Sequence, residues 1–362
     1  MSQPVNRPRR IEYLDLYRAI AIMAVVAIHA TSTAVAHYPK NTFDHDLFYF
    51  WNTFLQFAVP AFLFLSSLVL FYNYSVKMDE KGWVMSFYKK RMFYIFVPYV
   101  AWSLIYFVIK KWIAGREPLA ESMQLAKQLV LGTAHTHLYF FLIILQFYIV
   151  FPWLLSLTKQ PWFKRYMPLY FIAGQALFYA LHLKFQFERT GSMLPSYFIV
   201  IGFGAWIGLN FEWMMKKVVH FRYVLLAALI SGAAISMYAA DDIKTALMEW
   251  PTVAYIVLFL IRNIFTLSAC LTLLILSERV GTRERRKEYR VSRFADSLGT
   301  VAFGIFLIHP LILLFWRQGL TDDFARHFGL GIVLSYIAAL LLSWLCAVGL
   351  RRLKWGWVLI GR

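Results

Sequence analysis

Apolar stretches long enough to cross a lipid bilayer recur along nearly the whole chain and restrict its fold more than any other feature. A transmembrane helix needs roughly 20 predominantly apolar residues. Because 60% of the 362 residues are hydrophobic and only 15% are charged, a soluble core could not bury this surface. We therefore predict an all-α, polytopic membrane protein with about ten transmembrane helices. The ten apolar stretches are 11–36, 47–73, 87–112, 137–157, 166–183, 193–212, 221–240, 250–277, 297–317 and 328–352.

Basic residues are concentrated in alternate loops, and this pattern predicts the orientation of the chain. Most of the 37 Lys and Arg residues fall at the amino terminus, in every second loop and in the carboxyl-terminal tail. Asp and Glu gather in the other loops. Since cytoplasmic loops carry an excess of Lys and Arg, both termini are predicted to be cytoplasmic, in the plasma membrane of the cell. The net charge of +18 is then an orientation signal, and nucleic acid is not predicted as a partner.

The start of the chain also resembles a secretory signal, with basic residues, an apolar run and small residues before a cleavage point after Ala36. The ionisable residues within it favour a retained helix. One block resembles a linker, the charged segment 277–293. We predict a single integral-membrane domain over residues 1–362, without an appended soluble domain. Cys270 and Cys346 both lie within apolar stretches, so neither a disulfide framework nor a zinc cluster is predicted.

Within the first apolar stretch, residues 13–32 carry the ionisable side chains of Asp15, Arg18 and His29. Placing an Arg at the centre of a transmembrane helix costs roughly 3 kcal/mol on insertion scales, so these groups need a role. The spacing of Arg18 and His29 puts both on one helix face, about 16 Å apart along the axis. One tunnel beside that face could meet both side chains. Asp15 can neutralise Arg18 over one turn of the helix.

Each of these side chains has a structural and a chemical interpretation. Arg18 with Asp15 either anchors the helix at the membrane interface or faces the tunnel. His29 either makes a hydrogen bond to another helix or acts as the base that removes a proton at neutral pH. A chemical role is the interpretation we favour for His29.

Other ionisable residues lie in later apolar stretches. Arg262 is too deep to reach the interface, so a buried partner or an anionic ligand is expected. His309 precedes Pro310, which can kink the helix, and a structural role is as plausible as a chemical one. His135 and His137 lie two positions apart without nearby acidic residues, so no metal site is predicted there.

Two further motifs have local interpretations. The basic cluster Lys89, Lys90 and Arg91 begins the third apolar stretch. It could bind lipid headgroups or the phosphates of an anionic cytosolic cosubstrate. Gly204 and Gly208 are four positions apart in an apolar helix, which predicts a face for close helix packing rather than a nucleotide site.

In combination, the motifs of this chain resemble those of acyltransferase family three, the integral-membrane acyltransferases that modify cell-surface carbohydrates. The pair Arg18 and His29 matches the spacing of the family's first helix. Four later segments are similar to family motifs in the expected order: "FAVPAFLFLSSLVL" at 57–70, "YKKRMFYIFVPY" at 88–99, "HTHLYFFLIILQFYIVFP" at 135–152 and "SLGTVAFGIFLIHP" at 297–310.

The chain also departs from the family pattern. Ser67 stands where the family has Gly, Tyr139 where Trp is usual, and Phe303 with Gly304 interrupts the last motif. The departure with the largest consequence is Tyr94, which replaces the second Arg of an Arg-x-x-Arg segment associated with the acyl-CoA donor. Within this segment the remaining cations are those of the basic cluster.

The resemblance implies transfer of an acetyl or other short acyl group from cytosolic acyl-CoA to a hydroxyl of an extracytoplasmic carbohydrate or glycolipid. Acyl-CoA, with acetyl-CoA as the first candidate, is then a cosubstrate, and no tightly bound cofactor or metal is implied. The implied catalytic residues are His29 and Arg18. The implied donor-binding residues are basic: Lys89, Lys90 and Arg91. Arg262 is a further donor-binding candidate, and either Arg18 or Arg262 could stabilise the thioester oxyanion or orient the donor. The candidates for lining the acceptor chamber are Tyr139 and His309.

A transporter or flippase for a glycan or lipid-linked sugar is the main alternative. Buried Arg and His residues would also suit a translocation path, but inverted repeats and paired broken helices are not evident in the sequence. A scaffold subunit of a polysaccharide machine is a third option, and it would leave His29 unexplained. The predicted partners are membrane lipid, acyl-CoA and the acceptor, and homo-oligomerisation is left open.

Overall fold

The computed structural model describes residues 10–117, 122–239, 243, 245–281, 292–319 and 329–361. These residues form α-helices joined by short turns, and no strand occurs within the described ranges. The all-α prediction is therefore confirmed. Most of the predicted linker, residues 282–291, lies outside the part of the chain that the structure describes.

The helices, in chain order, are α1 (Leu14–His37), α2 (Phe43–Phe54), α3 (Ala58–Tyr74), α4 (Trp83–Ile113), α5 (Ser122–Leu131), α6 (Tyr139–Leu157), α7 (Pro161–Phe185), α8 (Phe198–Leu209), α9 (Phe211–His220), α10 (Arg222–Ala234), α11 (Pro251–Gly281), α12 (Ser292–Thr300), α13 (Ala302–Gly319), α14 (Gly329–Arg351) and α15 (Trp357–Ile360). Short 3₁₀ turns precede α3, α6 and α8. Every predicted apolar stretch lies on one or two of these helices.

Fewer helices qualify as membrane spans than the sequence predicts. Six described segments are long and apolar enough to cross a bilayer, and the number rises to eight if each of two bent helix pairs is one span. The bent pairs are α8 with α9, at 117°, and α12 with α13, at 81°. The polytopic membrane architecture is thus supported, whereas ten spans are not confirmed. The difference arises at α7, whose apolar stretch is interrupted by polar residues such as Gln175 and His182, and at α10, which is short.

Helix α1 occupies the centre of the bundle. It packs against α2, α3, α11, α12, α13 and α14. Its side chains Tyr17, Ile22 and Val26 are fully buried. The small residues Ala19 and Ala21, also fully buried, let neighbouring backbones approach closely. Removal of this segment by cleavage would leave the centre of the bundle empty, which favours its retention.

Helices α3 and α8 pack tightly through small residues. A Cβ atom added at Gly204 would lie 2.4 Å from the Phe64 carbonyl oxygen, and one at Gly208 would lie 2.4 Å from that of Leu68. The Ser67 hydroxyl donates a 2.8 Å hydrogen bond to the Ile201 carbonyl across the same contact. The predicted close-packing face is therefore confirmed. A serine is accommodated at position 67, where the family has glycine, because its hydroxyl makes this hydrogen bond.

Candidate active site

Asp15 links two arginines where α1 begins. Its carboxylate oxygens lie 2.6 Å from Arg18 Nη1 and 2.7 Å from Arg10 Nη2. The Asp15 side chain is only 10% exposed, so these charge-assisted bonds compensate the burial of its charge. The sequence-based expectation that Asp15 neutralises Arg18 is confirmed.

A cavity of about 950 Å³ opens beside this ion pair. Its volume is at the upper end of the roughly 300–1,000 Å³ typical of ligand pockets. The mouth carries seven basic side chains, which define what we call the basic end of the bundle: Arg10, Arg18, Lys90, Arg91, Arg351, Arg352 and Lys354. Among the described residues that line the cavity with them, one carries a carboxylate, Asp15. The mouth is therefore strongly cationic and suited to an anionic ligand.

The rest of the cavity is lined mainly by apolar side chains and runs between α3, α6 and α13. Its lining includes Phe62, Leu65, Ile144, Phe140 and Phe306. The rings of Phe140 and Phe306 are in contact, with centroids 5.2 Å apart. Phe306 also contacts histidines outside the cavity lining, so this aromatic pair separates the cavity from a second group of side chains. We call Phe140 and Phe306 the aromatic partition.

Four histidines from three parts of the chain meet behind the aromatic partition. The ring centroids of His29 and His309 lie 5.2 Å apart, and those of His137 lie 5.9 Å from His309 and 6.4 Å from His29. His135 extends the group, with its centroid 5.1 Å from that of His137. The Phe306 ring lies 5.3 Å from His137 and 6.1 Å from His309. We call these four residues the histidine cluster.

Two nitrogens of the histidine cluster, His137 Nε2 and His309 Nε2, are buried without a hydrogen-bond partner among the residues that the structure describes. His309 Nδ1 lies 2.9 Å from the Ile305 carbonyl oxygen, so Nδ1 carries the hydrogen and donates it. In the neutral ring Nε2 is then a lone-pair acceptor. His135 and His137 approach through their Nδ1 atoms at 3.0 Å, which requires one of the two to be protonated there. Within the described ranges, no three His, Cys, Asp or Glu residues are arranged to hold a metal ion.

The backbone around His29 is fixed by side chains of other helices. Arg317, near the end of α13, donates a 2.7 Å hydrogen bond from Nη2 to the His29 carbonyl. The Asn52 side-chain amide on α2 donates a 2.9 Å hydrogen bond to the Ile28 carbonyl and a 3.0 Å hydrogen bond to the Thr31 hydroxyl. The guanidinium of Arg317 is also close enough to act electrostatically on the His29 ring. Sequence reasoning missed Arg317, because a basic residue at the end of an apolar helix looks like an ordinary interface anchor.

His135 lies just before the span that begins at Thr136. Burial, together with the positive charge of Lys110, lowers the pKa of its imidazole to about 4. His135 is therefore neutral at pH 7. Its ring contacts that of Tyr106, with centroids 4.4 Å apart and the ring planes tilted by 35°. The Tyr106 hydroxyl donates a 2.8 Å hydrogen bond to the Leu307 carbonyl. Tyr106 thus ties α4 to the helix that carries His309.

The structure separates the sequence-predicted site residues into three places. Arg18, Lys90 and Arg91 line the cavity mouth, whereas Lys89 is exposed and outside the lining. His29 and His309 lie in the histidine cluster. The tunnel expected beside α1 therefore has Arg18 in its wall, and the aromatic partition lies between this cavity and His29.

Arg262 and Tyr139 lie in a third location, outside the cavity lining. Arg262 is exposed on α11, and its charge acts on the phenols of Tyr139 and Tyr197. Tyr139 begins α6 directly after the turn that carries His137. The predicted donor role of Arg262 and the acceptor role of Tyr139 remain predictions, but the two residues are neighbours of each other rather than of the basic mouth.

Comparison with known families identifies the chain. The model of acyltransferase family three, described as an acyltransferase domain, matches residues 11–348. A search of curated proteins and a search of solved structures gave no match. The family match covers nearly the whole chain, and it supports an enzyme over the transporter that the sequence left open. This chain of membrane-spanning helices therefore belongs to the acyltransferase domain family and is an acyltransferase.

Proposed function

We propose that the protein transfers an acetyl or other short acyl group from acyl-CoA to a hydroxyl of an extracytoplasmic carbohydrate. One observation carries the proposal: a cavity with a cationic mouth ends at an aromatic pair that touches the histidine cluster containing His29. CoA has phosphates at one end and a long, thin arm that ends in the thioester. A cationic mouth and a mainly apolar interior match these two parts.

The donor and the acceptor would approach from opposite ends of the bundle. The basic end faces the cytoplasm if the positive-inside rule holds, and acyl-CoA is cytosolic. The mouth would hold the phosphates through charge-assisted hydrogen bonds to Arg18, Lys90 and Arg91. The arm would pass between α3, α6 and α13, and displacement of the aromatic partition would bring the thioester to the histidine cluster.

His29 would then act as the general base. Its half-buried ring has no hydrogen-bond partner among the described residues, which leaves a ring nitrogen for the acceptor hydroxyl. As the imidazole takes the hydroxyl proton, the acceptor oxygen bonds to the thioester carbon. The carbon–sulfur bond then breaks, and the CoA thiolate takes the proton back from the imidazolium. No other reactant is needed.

Arg317 is better placed than Arg18 to stabilise the carbonyl oxygen during this step. Arg18 is about 16 Å from His29 along α1, so the two side chains cannot contact the same thioester carbonyl. Arg317 contacts the backbone of His29 itself. We therefore assign donor binding to Arg18 and stabilisation of the developing negative charge to Arg317.

The unpaired nitrogens of the histidine cluster support a hydroxyl-rich acceptor. An unsatisfied buried acceptor costs roughly 1–3 kcal/mol, so His309 Nε2 favours a ligand that donates a hydrogen bond. Sugar hydroxyls are such donors. Two hydroxyls of one sugar could bond to His309 and His29, which would place the second for deprotonation.

A transfer assay tests the proposed function. Protein purified into lipid nanodiscs is incubated with acetyl-CoA labelled in the acetyl group and with a panel of sugars and glycolipids. We expect a labelled ester, and we expect His29→Ala to lower the rate by about 10²–10⁴-fold, the usual contribution of a general base. The matched control is His220→Ala, because His220 is exposed on α9 and lies away from the cavity and the cluster.

Two outcomes would contradict the proposal at different points. Failure of the wild-type protein to transfer label from any acyl-CoA, to any acceptor in the panel, would argue against the function. Undiminished transfer by His29→Ala would be consistent with the proposed function but would contradict the role of His29 as general base. In proteoliposomes, the ester should form only when donor is supplied at the basic end.

A further inference from the structure

The end of α14 and the residues after it, 351–361, fold back onto the bundle and form part of the cavity wall, and we call them the folded-back segment. Arg351, Arg352, Lys354 and Trp357 all line the cavity. Basic residues after a final membrane helix usually need no explanation beyond orientation or contact with anionic lipid. Here they belong to the wall of an internal cavity, and this placement calls for a ligand.

Specific contacts hold this segment in place. Trp102 on α4 donates a 2.8 Å hydrogen bond from Nε1 to the Leu359 carbonyl, and the Trp357 ring stacks on Phe93 with centroids 5.0 Å apart. Gly361 has φ +65°, a conformation that favours glycine, and a Cβ there would lie 2.8 Å from the Tyr94 carbonyl oxygen. The segment is therefore built against the start of α4 rather than left free in solvent.

Tyr94 is the residue that replaces the second arginine of the family's donor segment. Its ring lies edge-on to Trp357, with centroids 5.7 Å apart, and both residues line the cavity. Position 94, where the family has an arginine, thus faces the segment that carries the three cationic side chains of Arg351, Arg352 and Lys354. None of Arg351, Arg352 and Lys354 makes an ion pair or side-chain hydrogen bond with another described residue.

We propose that Arg351, Arg352 and Lys354 bind the ribose 3′-phosphate of the acyl-CoA donor, with Trp357 and Tyr94 offering aromatic surface to its adenine. The inference rests on the proposed function, since it assumes an acyl-CoA donor. CoA carries its charge at two separated places, the diphosphate and the 3′-phosphate. The cavity carries two cation groups, one from α1 and α4 and one from the folded-back segment. Lys90 and Arg91 then bind the diphosphate, and the folded-back segment replaces the cation lost at Tyr94.

The test compares CoA with dephospho-CoA, which lacks only the 3′-phosphate, as inhibitors of acetyl transfer in nanodiscs. We expect the wild-type protein to bind CoA at least about tenfold more tightly, since a charge-assisted contact contributes roughly 1.5–3 kcal/mol. In the double variant Arg351→Ala/Arg352→Ala, the ratio of the dissociation constant of dephospho-CoA to that of CoA should fall toward one, because only CoA binding weakens. The control Lys216→Ala/Lys217→Ala removes two basic residues of α9 outside the cavity and should keep the wild-type preference.

The remaining outcomes separate the inference from the proposed function. Wild-type protein that transfers acyl groups without preferring CoA over dephospho-CoA overturns the inference alone. Equal weakening of both ligands in the double variant also overturns it, because the cations would then serve the diphosphate. Absence of transfer and of CoA binding in the wild type overturns the proposed function. Lipid headgroup binding instead predicts a preference that changes between anionic and zwitterionic nanodiscs. Lys354→Ala gives a milder variant if the double variant unfolds.

Discussion

At the scale of single residues, the structure assigns different surroundings to the two arginines that could serve the reaction. Arg18 is paired with Asp15 and lines the cationic mouth. Arg317 is bonded to the His29 backbone at the histidine cluster. A residue that binds the donor in both ground and transition states changes KM, whereas one that stabilises only the transition state changes kcat.

Steady-state kinetics should therefore separate the two residues. We expect Arg18→Ala to raise KM for acyl-CoA about 10-fold or more with a smaller change in kcat. We expect Arg317→Ala to lower kcat about 10²–10³-fold, as removal of an oxyanion donor does, with KM nearly unchanged. Arg165→Ala, on the exposed side of α7, is the control and should match wild type. The reverse pattern would exchange the roles assigned to Arg18 and Arg317.

At the scale of helices, close contacts between α3 and α8 and the aromatic partition between α6 and α13 determine the shape of the cavity. α3 lines one side of the cavity, so its distance from α8 affects the volume available to a ligand. Phe140 and Phe306 set the inner limit. Both features depend on side-chain size, and each can be changed by one substitution.

The substitution Gly204→Ala should destabilise the bundle. Its Cβ would lie 2.4 Å from a backbone carbonyl oxygen, which cannot rotate away, so the two helices must separate. Overpacking of this kind costs about 1–3 kcal/mol. Thermal unfolding in detergent should show a clear drop in Tm. Gly349→Ala on α14 is the control, because nothing lies within 4 Å of its added Cβ, and its Tm should be equal or higher. Equal Tm values for both variants would contradict the tight α3–α8 contact.

The substitution Phe306→Ala should change acyl-chain preference. Shortening this side chain opens the cavity toward the histidine cluster and makes room for extra methylene groups. Since one methylene contributes about 1–3 kcal/mol, the ratio of kcat/KM for butyryl-CoA over acetyl-CoA should rise about tenfold or more. Phe303→Ala is the control, because Phe303 lines the same cavity without a ring contact to the histidine cluster. An unchanged ratio in Phe306→Ala would show that this ring does not limit the acyl chain.

At the scale of the whole molecule, the orientation of the bundle decides which compartment supplies the donor. The 25-residue helix α7 is about 37 Å long, enough to cross a bilayer, although it is not among the spans identified by length and apolar composition. Its status therefore determines the side on which the loop before α8 lies.

Cysteine labelling on intact cells should establish this orientation. In a Cys346→Ser background, with Cys270 buried, we expect an impermeant maleimide to label Glu188→Cys and to label Gln160→Cys only after permeabilisation. Both positions are exposed, one at each end of α7. Labelling of both positions on intact cells, or of neither, would mean that α7 does not cross the membrane, and the ten-span topology would be wrong.

The sequence by itself determined the helical membrane class, the family and the local pairs. Apolar runs predict helices because backbone groups in lipid must bond internally. The pairing of Asp15 with Arg18 and the packing role of Gly204 follow from helical spacing along one segment. The number of spans could not be read in this way, because bends between α8 and α9 and between α12 and α13 depend on neighbouring helices.

Only the tertiary structure decided which distant side chains meet. His135 and His137 looked unrelated to His29 in the sequence, and Arg317 and the folded-back cations looked like interface anchors. Their grouping depends on the packing of α13 against α1 and of α6 against α4, which brings residues hundreds of positions apart into contact. Sequence spacing fixes neighbours within one helix, whereas contacts between helices are fixed by complementary packing, and this packing places the cavity, the aromatic partition and the histidine cluster in line.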